Sequence, residues 1–201
     1  MDKIQLISSL REKGYEEQII SAFEKVQREK FVPEHLTNYA YEDIAIPLED
    51  GSSLSQPSTI AFVLSLLQLK QNQKILEIGS GSGYVLSLMS EIIKSGKIYG
   101  LEINKSLAVK SKTILEKDSN VTILNKSGFL GFSDSAPYDR ILFSASCSDL
   151  RIPVSILNQL AHQGILVVPI KSSIFQIKKL ESGKTEKNEF PGFSFVSLKE
   201  E

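Results

Sequence analysis

The sequence has a single cysteine, Cys147, no tryptophan and only two histidines, His35 and His162. One thiol can form neither an internal disulfide nor a multi-cysteine zinc site, so the fold must stand on its apolar core. Charge of one sign is also missing, with 23 basic residues against 24 acidic ones and a formal net charge of −1. Without a basic field there is no counterion-release attraction for nucleic acid, and without a polybasic tract none for an anionic membrane, so neither partner is expected. No apolar run approaches the ~18 residues that suggest a membrane-spanning helix. The opening Met1–Leu6 is amphipathic rather than a charged segment leading into an apolar run, so no signal peptide is expected. The cytoplasm is the expected compartment, where the sequons at Asn104, Asn120 and Asn125 stay unmodified.

What is present is ordinary for a globular protein: 201 residues, 41% apolar and 23% charged. A chain of that length can bury roughly 70% of its unfolded surface, enough for one domain without staples. Ile4, Ile7 and Leu10 recur at helical spacing up to Gly14, and Ile19, Ile20, Phe23 and Val26 form a second stripe. The polar run Gln27-Arg28-Glu29-Lys30 follows, and Pro33 ends helical continuation. Residues 39 to 56 read as an irregular but ordered functional loop, because they carry Tyr39, Tyr41, Ile44, Ile46 and Leu48 among Pro47, Gly51 and serines.

From Pro57 onward, helix and strand patterns alternate. Helices are expected near 58–69, 85–93, 107–115 and 153–160, and strands near 74–78, 97–101, 121–124, 140–143 and 165–170. That alternation specifies βαβ units and a doubly wound, mostly parallel sheet. Segments 175–180 and 190–198 flank Ser182-Gly183 and suggest a terminal antiparallel pair. The expectation is therefore one α/β domain over 1–201, with N-terminal helices and a functional loop in 1–56 and a core in 57–201.

The chemistry concentrates at Glu77-Ile78-Gly79-Ser80-Gly81-Ser82-Gly83, on the first strand-to-helix turn of that sheet. Glycines there allow close backbone approach to a ligand, in the crevice where open α/β sheets bind one. A dinucleotide fingerprint needs Gly or Ala three positions after its second glycine, and the two registers place Tyr84 and Leu86 there. Glu102 ends the next strand, 19 positions after Gly83. A carboxylate at that place can accept both hydroxyls of a ribose, the other reading being a solvated strand-end charge.

The pattern acidic-x-Gly-x-Gly-x-Gly resembles motif I of S-adenosylmethionine-dependent methyltransferases, whose class I members share a Rossmann-like fold. Arg28-Glu29-Lys30-Phe31-Val32-Pro33, Tyr39-Ala40-Tyr41-Glu42-Asp43 with Pro47, and Ser53-Leu54-Ser55-Gln56-Pro57 precede it in order. Tyr138-Asp139-Arg140-Ile141, the stretch 160–169 and Phe190-Pro191-Gly192-Phe193-Ser194-Phe195-Val196 follow it. Together, over about residues 4 to 198, these are similar to the protein-L-isoaspartate O-methyltransferase family.

The resemblance implies methylation of the free α-carboxylate of L-isoaspartyl residues in damaged proteins and peptides. The cosubstrate is S-adenosylmethionine, the product S-adenosylhomocysteine, and no metal is required. It implies that Ser55 is the active-site residue, beside Ser53 and Leu54 at the substrate. Glu77, Gly79, Ser80, Gly81, Gly83, Glu102, Ser127 and Gly128 are implied at the cosubstrate. Read from its position alone, Ser55 is more simply a helix N-cap, and Ser53, Gln56 and Pro57 in register turn the reading to catalysis. Ser144 and Ala145, at the end of a strand, line the substrate cleft in one reading and are ordinary loop residues in the other. Lys126-Ser127-Gly128 departs from the family's Gly-Asp-Gly, so Ser127 would bond adenine without a negative charge. A changed acceptor and a binding scaffold without turnover are the two rival readings, and a monomer is expected. Cys147 lacks a histidine in a recognisable partner position and reads as a packed thiol.

Overall fold

A computed structural model describes residues 1–147 and 152–199. Two helices open the chain, α1 (Lys3–Glu12) and α2 (Glu17–Lys25). Asp2 caps α1 through a reciprocal bond pair with Gln5. The buried face of α1 is Leu6, Ile7 and Leu10, and Ile4 points outward at 80% exposure. Two short 3-10 turns, Arg28–Phe31 and Glu34–Tyr39, lead into a small hairpin of β1 (Ile46–Pro47) and β2 (Ser53–Leu54). The segment expected to be irregular is thus ordered by backbone pairing.

The core alternates α3 (Pro57–Leu67), β3 (Lys74–Ile78), α4 (Tyr84–Ile93), β4 (Lys97–Glu102), α5 (Lys105–Ile114), β5 (Val121–Asn125) and β6 (Tyr138–Phe143). It closes with α6 (Val154–Gln159), β7 (Leu160–Ile170), β8 (Ser173–Lys179) and β9 (Thr185–Pro191). The sheet order is β5-β4-β3-β6-β7-β8-β9. Pairing is parallel from β5 to β7 and antiparallel across β8 and β9. The expected doubly wound sheet with a terminal antiparallel pair is present. Its last strand, however, is the polar segment 185–191 rather than 190–198.

Strand alternation divides the core. Ile75 packs on the side of α3 and α4, whereas Leu76 and Ile78 face Tyr138, Ile141 and Ile156 on the other. Glu77 therefore shares the face of Ile75. It lies at the carboxyl end of β3, where the chain order reverses between β4 and β6. That switch point positions the site.

Candidate active site

The turn after β3 carries Gly79, Gly81 and Gly83 at φ +79°, +54° and +86°. All three are left-handed, a conformation glycine takes without steric cost. Gly83 is packed as well as turned, since a Cβ there would lie 2.9 Å from Leu115 Cδ1. The N–H groups of Gly79 and Ser80 donate to the carbonyl of Leu101 at 2.8 and 3.0 Å, which ties the turn to β4.

A cleft opens on this turn, lined among others by Ser53, Leu54, Ser55, Glu77, Gly79, Ser80, Gly81 and Ser144. A second compartment adjoins it, bounded by Ala45, Gln56, Ser194, Phe195 and Val196. Ser53, Ser55, Thr59 and Ser144 line both. Four hydroxyl side chains thus stand at the junction.

Glu77 is 1% exposed. Its Oε1 accepts the hydroxyl of Ser144 at 2.5 Å, while Oε2 has no partner. Burial pushes its carboxyl up to about 8, the nearby Glu102 adds to the rise, and the Ser144 bond opposes it. Ser80 Oγ and Ser82 Oγ are also buried and unpartnered at the cleft wall. A carboxyl oxygen without a partner, beside unsatisfied hydroxyls and left-handed glycines, fits the ammonium and polar end of an amino acid.

Glu102 does not line the cleft but stands one hydrogen bond behind it. Its Oε2 accepts the N–H of Gly81 at 2.6 Å and its Oε1 that of Asn104 at 2.8 Å. Each oxygen keeps a lone pair for a further donor. Ser127 and Gly128 follow β5, the neighbouring strand end, outside both compartments. Gly128 is required by packing, because a Cβ would lie 2.5 Å from Ile78 Cγ2. The ammonium of Lys126 is 5.0 Å from the centre of the Phe132 ring. Ala145 is buried, and its Cβ would be 3.5 Å from one placed on Gly79.

Ser55 is not a helix cap. Gln56 holds the N-cap position of α3 without a side-chain bond, and Pro57 opens the helix. The N–H of Ser58 is satisfied from a distance by Asp43 Oδ1 at 2.8 Å. The carbonyl of Ser55 accepts Nη2 of Arg28 at 2.8 Å, and Arg28 is completely buried. Sequence reasoning missed this arginine, because within Gln27-Arg28-Glu29-Lys30 a charged side chain reads as solvated. It also missed Asp43, Thr59 and the Phe195 wall, which come together only through tertiary folding. Among the described residues, no group of three or more His, Cys, Asp or Glu side chains could hold a metal ion.

This sheet order, glycine turn and pair of strand-end carboxylates define a class I S-adenosylmethionine-dependent methyltransferase fold. Comparison with known proteins narrows the class. The chain belongs to the protein-L-isoaspartate(D-aspartate) O-methyltransferase family, whose profile matches residues 1–201. It is 35% identical over 209 residues to a protein-L-isoaspartate O-methyltransferase of Ignicoccus hospitalis, covering 99% of this chain and 98% of that one. A Methanothrix thermoacetophila protein of the same name is 39% identical, over 86% of this chain and 82% of its own. A Plasmodium falciparum protein assigned to the same activity was solved with S-adenosyl-L-homocysteine. It superposes at a TM-score of 0.84 and 25% identity, over 98% of both chains.

Proposed function

We propose that this enzyme transfers the methyl group of S-adenosylmethionine to the free α-carboxylate of L-isoaspartyl residues in damaged proteins and peptides. The ester then closes to succinimide, which gives the normal peptide linkage another chance to form. The observation that carries the reading is the meeting of two compartments at Ser55, one built around Glu77 and the glycine turn, the other hydroxyl-lined.

In the first compartment, Glu77 Oε2 takes the ammonium of the methyl donor, and Ser80 with the backbone of Gly79 and Gly81 supports its amino-acid end. Glu102 receives the ribose hydroxyls on its remaining lone pairs, and Ser127 and Gly128 flank the adenine. In the second compartment Ser53 and Ser144 hold the acceptor, backed by Leu54 of the first compartment and by Ala145 next to Ser144, and Ser55 orients its carboxylate at the junction. The sulfonium supplies an activated methyl. One carboxylate oxygen forms the new O–CH3 bond as the C–S bond breaks, its electron pair stays on sulfur, and no proton has to move. A carboxylate is already ionised at neutral pH, so the site needs alignment more than acid–base help. The Lys126-Ser127 departure lies on the donor side and so bears on cosubstrate affinity rather than on the acceptor. The enzyme works as a cytoplasmic monomer in this reading. Among the described residues no helix is long and apolar enough to cross a membrane.

Labelled S-adenosylmethionine with matched peptides carrying isoaspartate or normal L-aspartate tests the reading. Base-labile label on the isoaspartyl peptide alone is expected. Label on neither peptide, with S-adenosylmethionine still bound, would leave a changed acceptor or a silent scaffold.

A further inference from the structure

Among the described residues, no lysine, arginine or histidine lines either compartment, although Glu77 does. An anionic acceptor thus meets no cationic side chain among the described lining residues, and the lining carboxyl of Glu77 offers it no counter-charge. Arg28 stands one hydrogen bond behind Ser55 at the junction. Its guanidinium is fully buried, and Nε and Nη1 donate to no acceptor. It stacks over Tyr84, 4.9 Å from the ring centre, and Tyr84 itself lines the first compartment. Burial holds the Tyr84 phenol neutral, so it provides no counter-charge.

The acidic groups in its neighbourhood are committed elsewhere. Asp43 takes the Ser58 N–H and the ammonium of Lys13, and Glu29 accepts the hydroxyl of Tyr41. Among the described residues Arg28 forms no ion pair. Burial works against the charged guanidinium, Asp43 favours it from a distance without pairing, and a neutral amide could supply the single backbone bond without the charge.

We propose that Arg28 is the positioning residue for the methyl acceptor, fixing the Ser55 carbonyl and placing a positive charge behind the compartment that receives the acceptor's carboxylate. The proposal rests on the carboxyl-methylation reading and deepens it. It selects an anionic acceptor, because an amine entering as an ammonium would be repelled by the same charge. The guanidinium is fully buried, so salt screens this attraction weakly.

The test uses the full-length wild type with the variants R28K and R28Q. Two peptides are compared that differ only at the isoaspartyl α-carbon group, carboxylate in one and carboxamide in the other. Their binding is measured by competition with S-adenosylhomocysteine present, which needs no turnover. The wild type is expected to prefer the carboxylate by about tenfold or more, a difference on the scale of one well-placed charge. In R28Q that preference collapses and KM for the isoaspartyl peptide rises about tenfold, while S-adenosylhomocysteine affinity stays within about twofold. R28K, which keeps the charge, recovers most of the loss. Folded R28Q with the wild-type preference and KM would overturn the proposal, as would R28K and R28Q impaired alike. If R28Q does not fold, a wild type that binds carboxamide as tightly as carboxylate overturns it. Absence of methyl transfer by the wild type would count against the reaction and leave this binding comparison to decide on the charge.

Discussion

Ser144 donates its hydroxyl to Glu77 Oε1 at 2.5 Å, joining the carboxyl ends of two neighbouring parallel strands across the cleft floor. That bond holds one oxygen and leaves Oε2 buried without a partner, on a residue that lines the compartment. A buried carboxyl in this state is held mostly protonated near neutrality, since burial raises it from 4.5 to about 8.

The sign of the resulting pH dependence follows directly. The native ligand-free protein binds this proton more tightly than the unfolded chain does. Its contribution to stability is therefore complete below 4.5 and lost as pH rises through about 8. Thermal scans of ligand-free protein across that window should show a falling Tm component that Glu77→Gln abolishes. S-adenosylhomocysteine, whose ammonium favours the ionised carboxylate, should bind with proton release at pH 7 in the wild type. Calorimetry in two buffers of different ionisation enthalpy reads that release. Identical heats in both would contradict this role for Glu77.

Ser55 and Asp43 should separate catalysis from stability. Asp43, not Ser55, satisfies the first turn of α3. Ser55→Ala is expected to lower turnover by about ten- to a hundredfold through lost alignment, with little change in unfolding free energy. Asp43→Ala should cost ~1 kcal/mol, the usual value of a lost cap. Urea denaturation beside steady-state kinetics tests both. A folded Ser55→Ala variant at the wild-type rate would remove Ser55 from the reaction.

Much of this architecture was readable because buried parallel strands are apolar runs and the glycine turn is a local pattern. β3, β4 and the Glu77–Gly83 turn fall where the sequence placed them. The last strand did not, for a physical reason. Thr185–Pro191 is a charged edge strand that pairs through its backbone and leaves every side chain but that of Phe190 exposed, so its pattern carries little apolar signal. The aromatics of 190–198 mislead because they serve tertiary contacts. Phe193 stacks on Phe62 with ring centres 5.2 Å apart, and Phe195 lines the cleft. Arg28 was illegible on the same grounds, because nothing local distinguishes a buried guanidinium from a solvated one.

Gly128 illustrates a residue whose retention is mechanical. Its backbone is not left-handed, yet a Cβ would meet Ile78 Cγ2 at 2.5 Å. Gly128→Ala should therefore cost ~1–3 kcal/mol by overpacking. Ile78→Ala removes the opposing methyl, so the double variant is expected to lose less than the sum of the two single losses. Such coupling is what residues in direct contact show. Strict additivity in denaturant titrations would mean that the clash is relieved elsewhere.

Arg140 tests the opposite use of a buried guanidinium from that of Arg28. It is 6% exposed and donates to three backbone carbonyls, those of Leu67, Gln68 and Asp139. Two of these are the last acceptors at the end of α3, where a cation also favours the helix dipole. Asp139 beside it accepts the N–H of Lys74, so the pair pins α3 and β3 to β6. Here every bond is made within the fold, and none of these groups touches the cleft. Arg140→Met should cost ~2–4 kcal/mol because buried carbonyls lose charged donors. Arg140→Lys should recover only part of it, since one ammonium cannot span the three acceptors that the planar fork reaches. S-adenosylhomocysteine affinity of the folded variants should stay near wild type, in contrast to the acceptor defect expected at Arg28. A stability loss below ~0.5 kcal/mol for Arg140→Met would place it among ordinary surface substitutions and reject the capping role.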